Sequence, residues 1–155
     1  MKKRIIALGL LWCLFAVMLQ AARVDTVLVR SAAMNKDVKV VYVLPDKAIG
    51  KQACPVVYLL HGYGGNARSW VQLKPELPQM ADEKGIIFVC PDGKNSWYWD
   101  SPENPAYRYE TFVTSELVKY TDGNYATIPD RKARAISGLS MGGHGALWSA
   151  IRHKD

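Results

Sequence analysis

The residues best suited to chemistry surround one serine near the end of the chain. Gly138-Leu139-Ser140-Met141-Gly142 has the spacing G-x-S-x-G, between a short strand candidate at 133–137 and a helix candidate at 146–152. In a sharp strand-to-helix bend, the glycines leave room for neighbouring turns, and the serine takes a strained backbone conformation that exposes its hydroxyl. The pattern predicts Ser140 as a nucleophile. The alternative is a glycine-rich turn in which the serine is incidental.

A serine nucleophile also needs hydrogen-bond donors for the oxyanion of a tetrahedral intermediate, each contributing about 3–4 kcal/mol to lowering the barrier. One predicted donor is the backbone amide of Met141, at the start of the following helix. The second is expected from His61-Gly62-Tyr63-Gly64-Gly65, which follows an earlier apolar run. Within it we predict the amide of Tyr63 as the donor, with Gly64 as the alternative. An ordinary glycine turn is the competing interpretation of this segment.

The chain's aromatic residues and histidines give further candidates. Trp97 and Trp99 are predicted to bind substrate, because this aromatic loop, with Tyr98, can stack on a phenolic acyl group or a sugar face. The alternative is that these rings only cover the core. None of the histidines is predicted as a base: His144 packs at the helix start, His153 lies at its far end, and His61 belongs to the glycine-rich segment.

The elements that must position these residues follow from hydrophobic periodicity. Residues 24–30 and 38–44 predict an antiparallel hairpin, whereas 56–60 and 86–89 are uniformly apolar, as in strands covered on both faces. A helix that ends at Gly85 is expected between the latter two, and another helix is expected up to Asp122-Gly123. Strands that alternate with helices predict an α/β fold with a mostly parallel sheet and helices on both faces.

The first residues predict export. Lys2-Lys3-Arg4 precedes an uncharged run that extends to Ala22, which is typical of a signal peptide over 1–22, cleaved near Ala21-Ala22. A retained anchor helix is the alternative. The mature protein is expected to be secreted or periplasmic, without stable membrane insertion. Its net charge falls from +6 to about +3 once the leader's basic residues are removed, and nothing in that balance predicts a nucleic-acid partner.

Export permits disulfides, but Cys54 and Cys90 are expected at opposite ends of neighbouring strands. Five residues of strand separate them by about 15 Å, and a disulfide requires α-carbons within about 7 Å. We therefore predict two free, buried thiols.

Four segments together resemble the serine esterase family of α/β-hydrolases, which includes S-formylglutathione hydrolases, feruloyl and other carbohydrate-linked esterases, and mycolyltransferases. The segments are 58–65, Pro91-Asp92-Gly93, Tyr109-Glu110-Thr111-Phe112 and 138–146. The resemblance extends from about Val38 to the end of the chain. It implies the α/β-hydrolase fold, Ser140 as nucleophile and the amides of Met141 and Tyr63 as the oxyanion hole. It implies no metal and no cofactor.

The resemblance also implies an activity. The full-length protein is expected to be an exported serine carboxylesterase that forms an acyl-enzyme on Ser140 and acts on small-molecule or carbohydrate-linked esters, including feruloyl-type esters. The alternatives are an S-formylglutathione hydrolase-like thioesterase, an acyltransferase and a non-catalytic hydrolase-like binding protein. Residues 23–155 are expected to form the N-terminal part of the domain, truncated after the helix that follows Ser140. The acid and base of the triad would then lie beyond Asp155, and the 155-residue chain alone would be inactive.

Overall fold

The computed structural model of the protein describes residues 22–154. The predicted signal peptide, residues 1–22, lies outside this range except for Ala22. Within the described range, no helix has the length and apolar character needed to span a bilayer.

A sheet of five strands forms the centre of the molecule, in the order β1-β2-β4-β3-β5. The strands β4, β3 and β5 are parallel, and the predicted hairpin β1–β2 adds to them through an antiparallel pairing of β2 with β4. The sheet of these residues is therefore mixed, with a parallel part formed by β4, β3 and β5 and two antiparallel pairings contributed by the predicted hairpin. The strands are β1 (Arg23–Ser31), β2 (Lys36–Leu44), β3 (Val56–Leu60), β4 (Ile87–Pro91) and β5 (Arg134–Gly138).

Helices connect the strands. The helix predicted to end at Gly85 is α3, which has Pro78 in its first turn and stops where Gly85 adopts a left-handed φ of 63°. A π-helical turn, Phe112–Glu116, joins α4 to α5. The helices are α1 (Asp46–Ile49), α2 (Ser69–Leu73), α3 (Leu77–Lys84), α4 (Tyr109–Thr111), α5 (Leu117–Asn124) and α6 (Met141–Arg152), with a 3₁₀ turn at Arg131–Ala133.

The two faces of the sheet bury separate hydrophobic clusters, because successive side chains of a strand point to opposite sides. In β2, Tyr42 joins the cluster that also holds residues of α4, α5 and α6, whereas Val41 and Val43 join the cluster beneath α3. Helices thus cover both faces, as the uniformly apolar strands predicted. The fold is the α/β class predicted from the sequence.

The two described cysteines are free and buried, as predicted. Cys54 belongs to one hydrophobic cluster and Cys90 to the other, so they lie on opposite faces of the sheet. Burial raises the pKa of Cys90 to about 12 and also raises the pKa of Cys54. Both thiols therefore stay protonated near neutral pH, and neither supplies a thiolate nucleophile.

The parallel strands bring the two glycine-rich motifs together. Leu60, the last residue of β3, pairs with Gly138, the last residue of β5. The segment after β3 and the bend after β5 therefore leave the same edge of the sheet side by side. The carboxyl ends of parallel strands are where α/β proteins place their ligands.

Candidate active site

Ser140 occupies the bend between β5 and α6. Its backbone has φ of 53° and ψ of −116°, and its side chain forms no capping hydrogen bond with α6. A residue with a side chain costs about 1–3 kcal/mol in such a conformation. The residue is exposed, so the tight bend presents its hydroxyl to solvent. This is the backbone conformation that the G-x-S-x-G spacing predicts.

Two glycines allow the first turn of α6 to pack directly on the strand ends. A Cβ atom on Gly142 would lie 2.2 Å from the carbonyl oxygen of Leu60, and one on Gly138 would lie 2.2 Å from the carbonyl carbon of Gly142. Both distances are far shorter than any carbon contact tolerates. A Cβ on Gly143 would come no closer than 3.4 Å to a neighbouring atom. Of these three glycines, only the two that flank the serine are therefore required by space.

The glycine-rich segment 61–65, called here the oxyanion segment, lies against the serine. A Cβ atom on Gly62 would be 3.7 Å from the Cβ of Ser140. The amide of Gly64, the alternative donor, donates a hydrogen bond of 2.8 Å to Asn95 Oδ1. Within residues 22–154, the amides of Tyr63 and Met141 donate to no other residue. The amides of Gly62, Ser140 and Gly143 likewise have no acceptor within these residues, so Tyr63 and Met141 belong to a group of free amides at this bend.

His61 is buried, and both of its ring nitrogens are used within the protein. Nδ1 lies 2.7 Å from the carbonyl oxygen of Gly62. Because a carbonyl only accepts, Nδ1 carries the proton, and Nε2 accepts a 2.9 Å hydrogen bond from the Gly93 amide. The ring therefore fixes the oxyanion segment and has no free nitrogen for proton transfer.

The other two histidines are also engaged. His144 places Nδ1 3.1 Å from the carbonyl oxygen of Trp97, and its ring lies between those of Trp97 and Trp148. His153 donates from Nε2 to Glu110 over 2.9 Å, at the far end of α6 from the serine. The described residues also contain no group of three or more His, Cys, Asp or Glu side chains arranged to hold a metal ion. No imidazole of this chain hydrogen-bonds Ser140.

The aromatic loop divides its rings between solvent and core. Trp97 and Trp99 are each 46% exposed, whereas Tyr98 is fully buried. Tyr98, which the sequence groups with the two tryptophans, is therefore not available for stacking on a ligand. The two tryptophans, His144 and Trp148 line one cavity of about 390 Å³. His144 follows Ser140 by one helical turn, so one wall of this cavity neighbours the serine, although Ser140 itself does not line it.

Reasoning from the sequence missed two polar contacts. Asn95 is exposed and belongs to no recognisable pattern, yet its side chain holds the amide of Gly64. Glu110 belongs to the motif Tyr109-Glu110-Thr111-Phe112, and that membership is the one sequence feature that could have drawn attention to it. Its carboxylate accepts hydrogen bonds from Trp148 Nε1 (2.8 Å), Arg152 Nε (2.7 Å) and His153 Nε2 (2.9 Å). Burial by itself would raise the pKa of Glu110, but these three bonds outweigh it and hold the pKa below its ordinary value.

Residues 31–155 match the profile of the family described as "Putative esterase". The chain is 28% identical over 131 residues to an acetyl esterase of Caldicellulosiruptor saccharolyticus, covering 79% of this chain and 48% of that protein. It is 31% identical over 134 residues to the S-formylglutathione hydrolase of Bos taurus, covering 73% of this chain and 46% of that protein. Among solved structures, a ferulic acid esterase superposes with a TM-score of 0.73 at 30% identity, covering 87% of this chain and 57% of the other. The chain spans about half the length of the curated relatives it matches.

Proposed function

Because the chain belongs to the esterase family of α/β-hydrolases, we propose that it carries the nucleophile of a serine carboxylesterase. The Ser140 hydroxyl oxygen attacks the carbonyl carbon of an ester, and a tetrahedral intermediate forms. Its collapse breaks the bond to the alcohol, which leaves with a proton, and the acyl group stays on the serine. Water then attacks the acyl-enzyme, the acid is released, and Ser140 regains its proton.

The observation that carries this proposal is the surroundings of Ser140. A strained, exposed serine stands where the amides of Tyr63 and Met141 have no acceptor within residues 22–154. Unpaired amides beside a nucleophile are the arrangement that stabilises an oxyanion, because the charge that develops on the substrate oxygen finds donors already in place.

Proton transfer needs a group that the described residues do not place at Ser140. We assign the general base and its acidic partner to residues beyond Asp155, in the order serine, acid, histidine that α/β-hydrolases follow. The 155-residue chain alone is then expected not to hydrolyse an ester, whereas the protein expressed from its complete gene is expected to hydrolyse it. Turnover by the 155-residue chain would contradict this assignment.

For the substrate, we propose carboxylic esters with an aromatic acyl group or a carbohydrate alcohol, as in feruloyl-type and acylated sugar esters. The cavity beside Ser140 is lined by aromatic rings alone, namely Trp97, Trp99, His144 and Trp148. Flat rings of this kind stack on phenolic rings and on sugar faces. The similarity to a ferulic acid esterase supports the same class.

We further propose that the protein is exported, because its first 22 residues have the pattern of a signal peptide. Fractionation of the native host tests this: the mature protein should be found outside the cytoplasmic membrane and should begin near Arg23. Protein found only in the cytoplasm, with Met1 retained, would contradict export.

The experiment that tests the chemistry is labelling with a fluorophosphonate. In the protein expressed from its complete gene, mass spectrometry should find one adduct, on the peptide that contains Ser140. Ser140→Ala should abolish the adduct, and Ser137→Ala, which alters an exposed serine of β5 three residues earlier, should leave it unchanged. No adduct on Ser140 in the folded protein would overturn the proposal.

The substrate class is tested by comparing methyl ferulate with methyl acetate. Trp97→Ala is expected to lower kcat/KM for methyl ferulate about tenfold, because the lost stacking and aromatic surface amount to roughly 1.5 kcal/mol. The value for methyl acetate should change little, since the small acyl group does not reach the ring. An equal loss for both esters would instead assign Trp97 to the core.

A further inference from the structure

Loop 92–98, between β4 and the aromatic cavity, lies directly against the oxyanion segment. Asn95 accepts the Gly64 amide over 2.8 Å. That amide belongs to the peptide plane that follows Tyr63, so the bond holds the chain on the C-terminal side of Tyr63. The Tyr63 N–H lies in the preceding plane, whose carbonyl oxygen, that of Gly62, accepts from the Gly65 amide over 3.0 Å and lies 2.7 Å from His61 Nδ1. Gly64 itself has a φ of 75°, a left-handed conformation that glycine adopts at little cost. The orientation of the peptide between Tyr63 and Gly64 therefore depends on Asn95.

Tyr98 makes the second connection, from the interior. Its hydroxyl oxygen accepts a 3.0 Å hydrogen bond from the His61 amide. Its ring also packs on α6, because a Cβ atom on Gly145 would lie 2.5 Å from Tyr98 Cβ. One buried side chain thus touches both elements that carry the free amides: the oxyanion segment with Tyr63, and α6 with Met141.

The loop holds this arrangement in spite of its own backbone. Lys94, Trp97 and Tyr98 have φ angles of 49°, 57° and 57°, which side-chain-bearing residues rarely adopt. Such conformations are kept only where surrounding contacts determine them, and they concentrate at functional sites. The contacts that compensate here are the ones made to the oxyanion segment and to α6.

We propose that Asn95 and Tyr98 are the positioning residues of the oxyanion hole. Asn95 restrains the Tyr63 amide from one side by holding the peptide that follows it, and Tyr98 sets the spacing between that amide and the Met141 amide. Neither side chain touches the reacting atoms. The inference rests on the proposed function, because an oxyanion hole acts only if Ser140 forms a tetrahedral intermediate.

The first test is Asn95→Ala in the protein expressed from its complete gene. Losing one oxyanion donor outright lowers kcat by about 10²–10³, so a misdirected donor should lower kcat by about 10- to 100-fold while KM stays within about twofold. Asn95→Asp should restore most of kcat, because a carboxylate oxygen accepts the same hydrogen bond. Asn104→Ala is the matched control: Asn104 also accepts a backbone amide, that of Ala106 over 3.0 Å, in an exposed loop. The control should leave kcat unchanged.

The second test distinguishes positioning from stability. A thionoester, in which sulfur replaces the carbonyl oxygen, gains less from the hole because sulfur is larger and accepts hydrogen bonds weakly. The ratio of kcat/KM for an ester to that for its thionoester should therefore fall about tenfold or more in Asn95→Ala and in Tyr98→Phe. Partial unfolding would lower both rates together and leave the ratio unchanged.

Tyr42→Phe is the control for Tyr98→Phe. Both substitutions remove one hydroxyl from a buried tyrosine. The Tyr42 hydroxyl forms a 2.9 Å hydrogen bond with the Thr121 hydroxyl and contacts neither the oxyanion segment nor α6 through it. Tyr42→Phe should keep the wild-type ratio even if it lowers stability. If the wild-type enzyme works through Ser140 but both loop variants keep the wild-type ratio, the positioning role is wrong and the proposed function stands. If hydrolysis does not depend on Ser140, both proposals are wrong.

Discussion

The two ends of helix α6 use their polar groups in opposite ways. At the first residue outside its N-terminus, Ser140 is strained and exposed, and the Met141 amide donates to no other residue of 22–154. At its C-terminal end, Arg152 and His153 donate to Glu110, a buried carboxylate of α4. One end keeps hydrogen-bonding capacity free, and the other uses it within the fold.

The difference separates a site for a reaction from a site for stability. Groups that await a substrate must be left unpaired in the free protein, which costs stability, whereas a buried carboxylate must have partners to be tolerated at all. Both ends carry residue types that are common in catalysis. Only the free capacity at the N-terminal end identifies it as the candidate for chemistry.

The largest effect is expected at the N-terminal end, from Ser140→Ala. Hydrolysis of a carboxylic ester by the protein expressed from its complete gene should fall at least about 10⁴-fold, because the nucleophile is removed. Its urea denaturation midpoint should hardly move, since the hydroxyl has no hydrogen-bond partner within residues 22–154. A large loss of stability with retained hydrolysis would reverse the comparison.

The next effect tests the packing that creates the bend. Gly142→Ala should destabilise the protein by about 3 kcal/mol, because the new Cβ would meet the carbonyl oxygen of Leu60 at 2.2 Å. Gly143→Ala, one residue later, should be neutral or stabilising by up to about 1 kcal/mol, since alanine favours a helix and finds room there. Urea unfolding measures both, and equal effects would mean that the strand ends do not restrict the bend.

At the C-terminal end, Glu110→Gln should lower the free energy of unfolding by about 2 kcal/mol at pH 7, as charge-assisted hydrogen bonds are lost from a buried group. The value of kcat for a carboxylic ester should stay within about threefold, because this end lies about 18 Å along the helix from the serine. Glu76→Gln is the control: Glu76 forms an exposed ion pair with Lys74, and its loss should leave the unfolding midpoint unchanged. A strong loss of kcat in Glu110→Gln with little change in stability would assign Glu110 to the active site.

The smallest effect concerns pH. The folded state lowers the pKa of Glu110, so its contribution is present above the unfolded pKa of about 4.3 and is lost as pH falls through the folded pKa. The difference in unfolding free energy between the wild-type protein and Glu110→Gln should therefore be largest near neutral pH and should shrink below about pH 4. A difference in unfolding free energy that stays constant down to pH 3 would show that the negative charge of Glu110 does not contribute to stability.

Much of the fold was predictable because the hydrophobic patterns here are local and unambiguous. The uniformly apolar run 56–60 matches β3, and the stop at Gly85 matches the end of α3. The boundaries moved where side-chain preference was weak: the last helix begins at Met141 instead of the predicted 146, because three of its first five residues are glycines. Glycine disfavours helix by propensity, and packing on β3 overrides that preference.

The candidate site was predictable only in part. Ser140, Tyr63 and Met141 follow from glycine spacing, which reports close backbone approach directly. The burial of Tyr98 between exposed Trp97 and Trp99 was not predictable, because three adjacent aromatic residues look alike in a sequence. Their separation follows from backbone turns with positive φ, which no residue type in that loop signals.

The sequence by itself determined the class of the fold, the bend at Ser140 and the elements that deliver two amides to it. These depend on short-range rules of periodicity and on the space that glycine leaves. Only the tertiary structure decided which amides have no acceptor. It also decided that Asn95 accepts a hydrogen bond from the Gly64 amide, and that Glu110 accepts one from Arg152 at the C-terminal end of α6. The physical reason is that these hydrogen bonds join residues 31 and 42 positions apart, so they depend on how the packed core places two loops or helices. Neither segment alone encodes that distance.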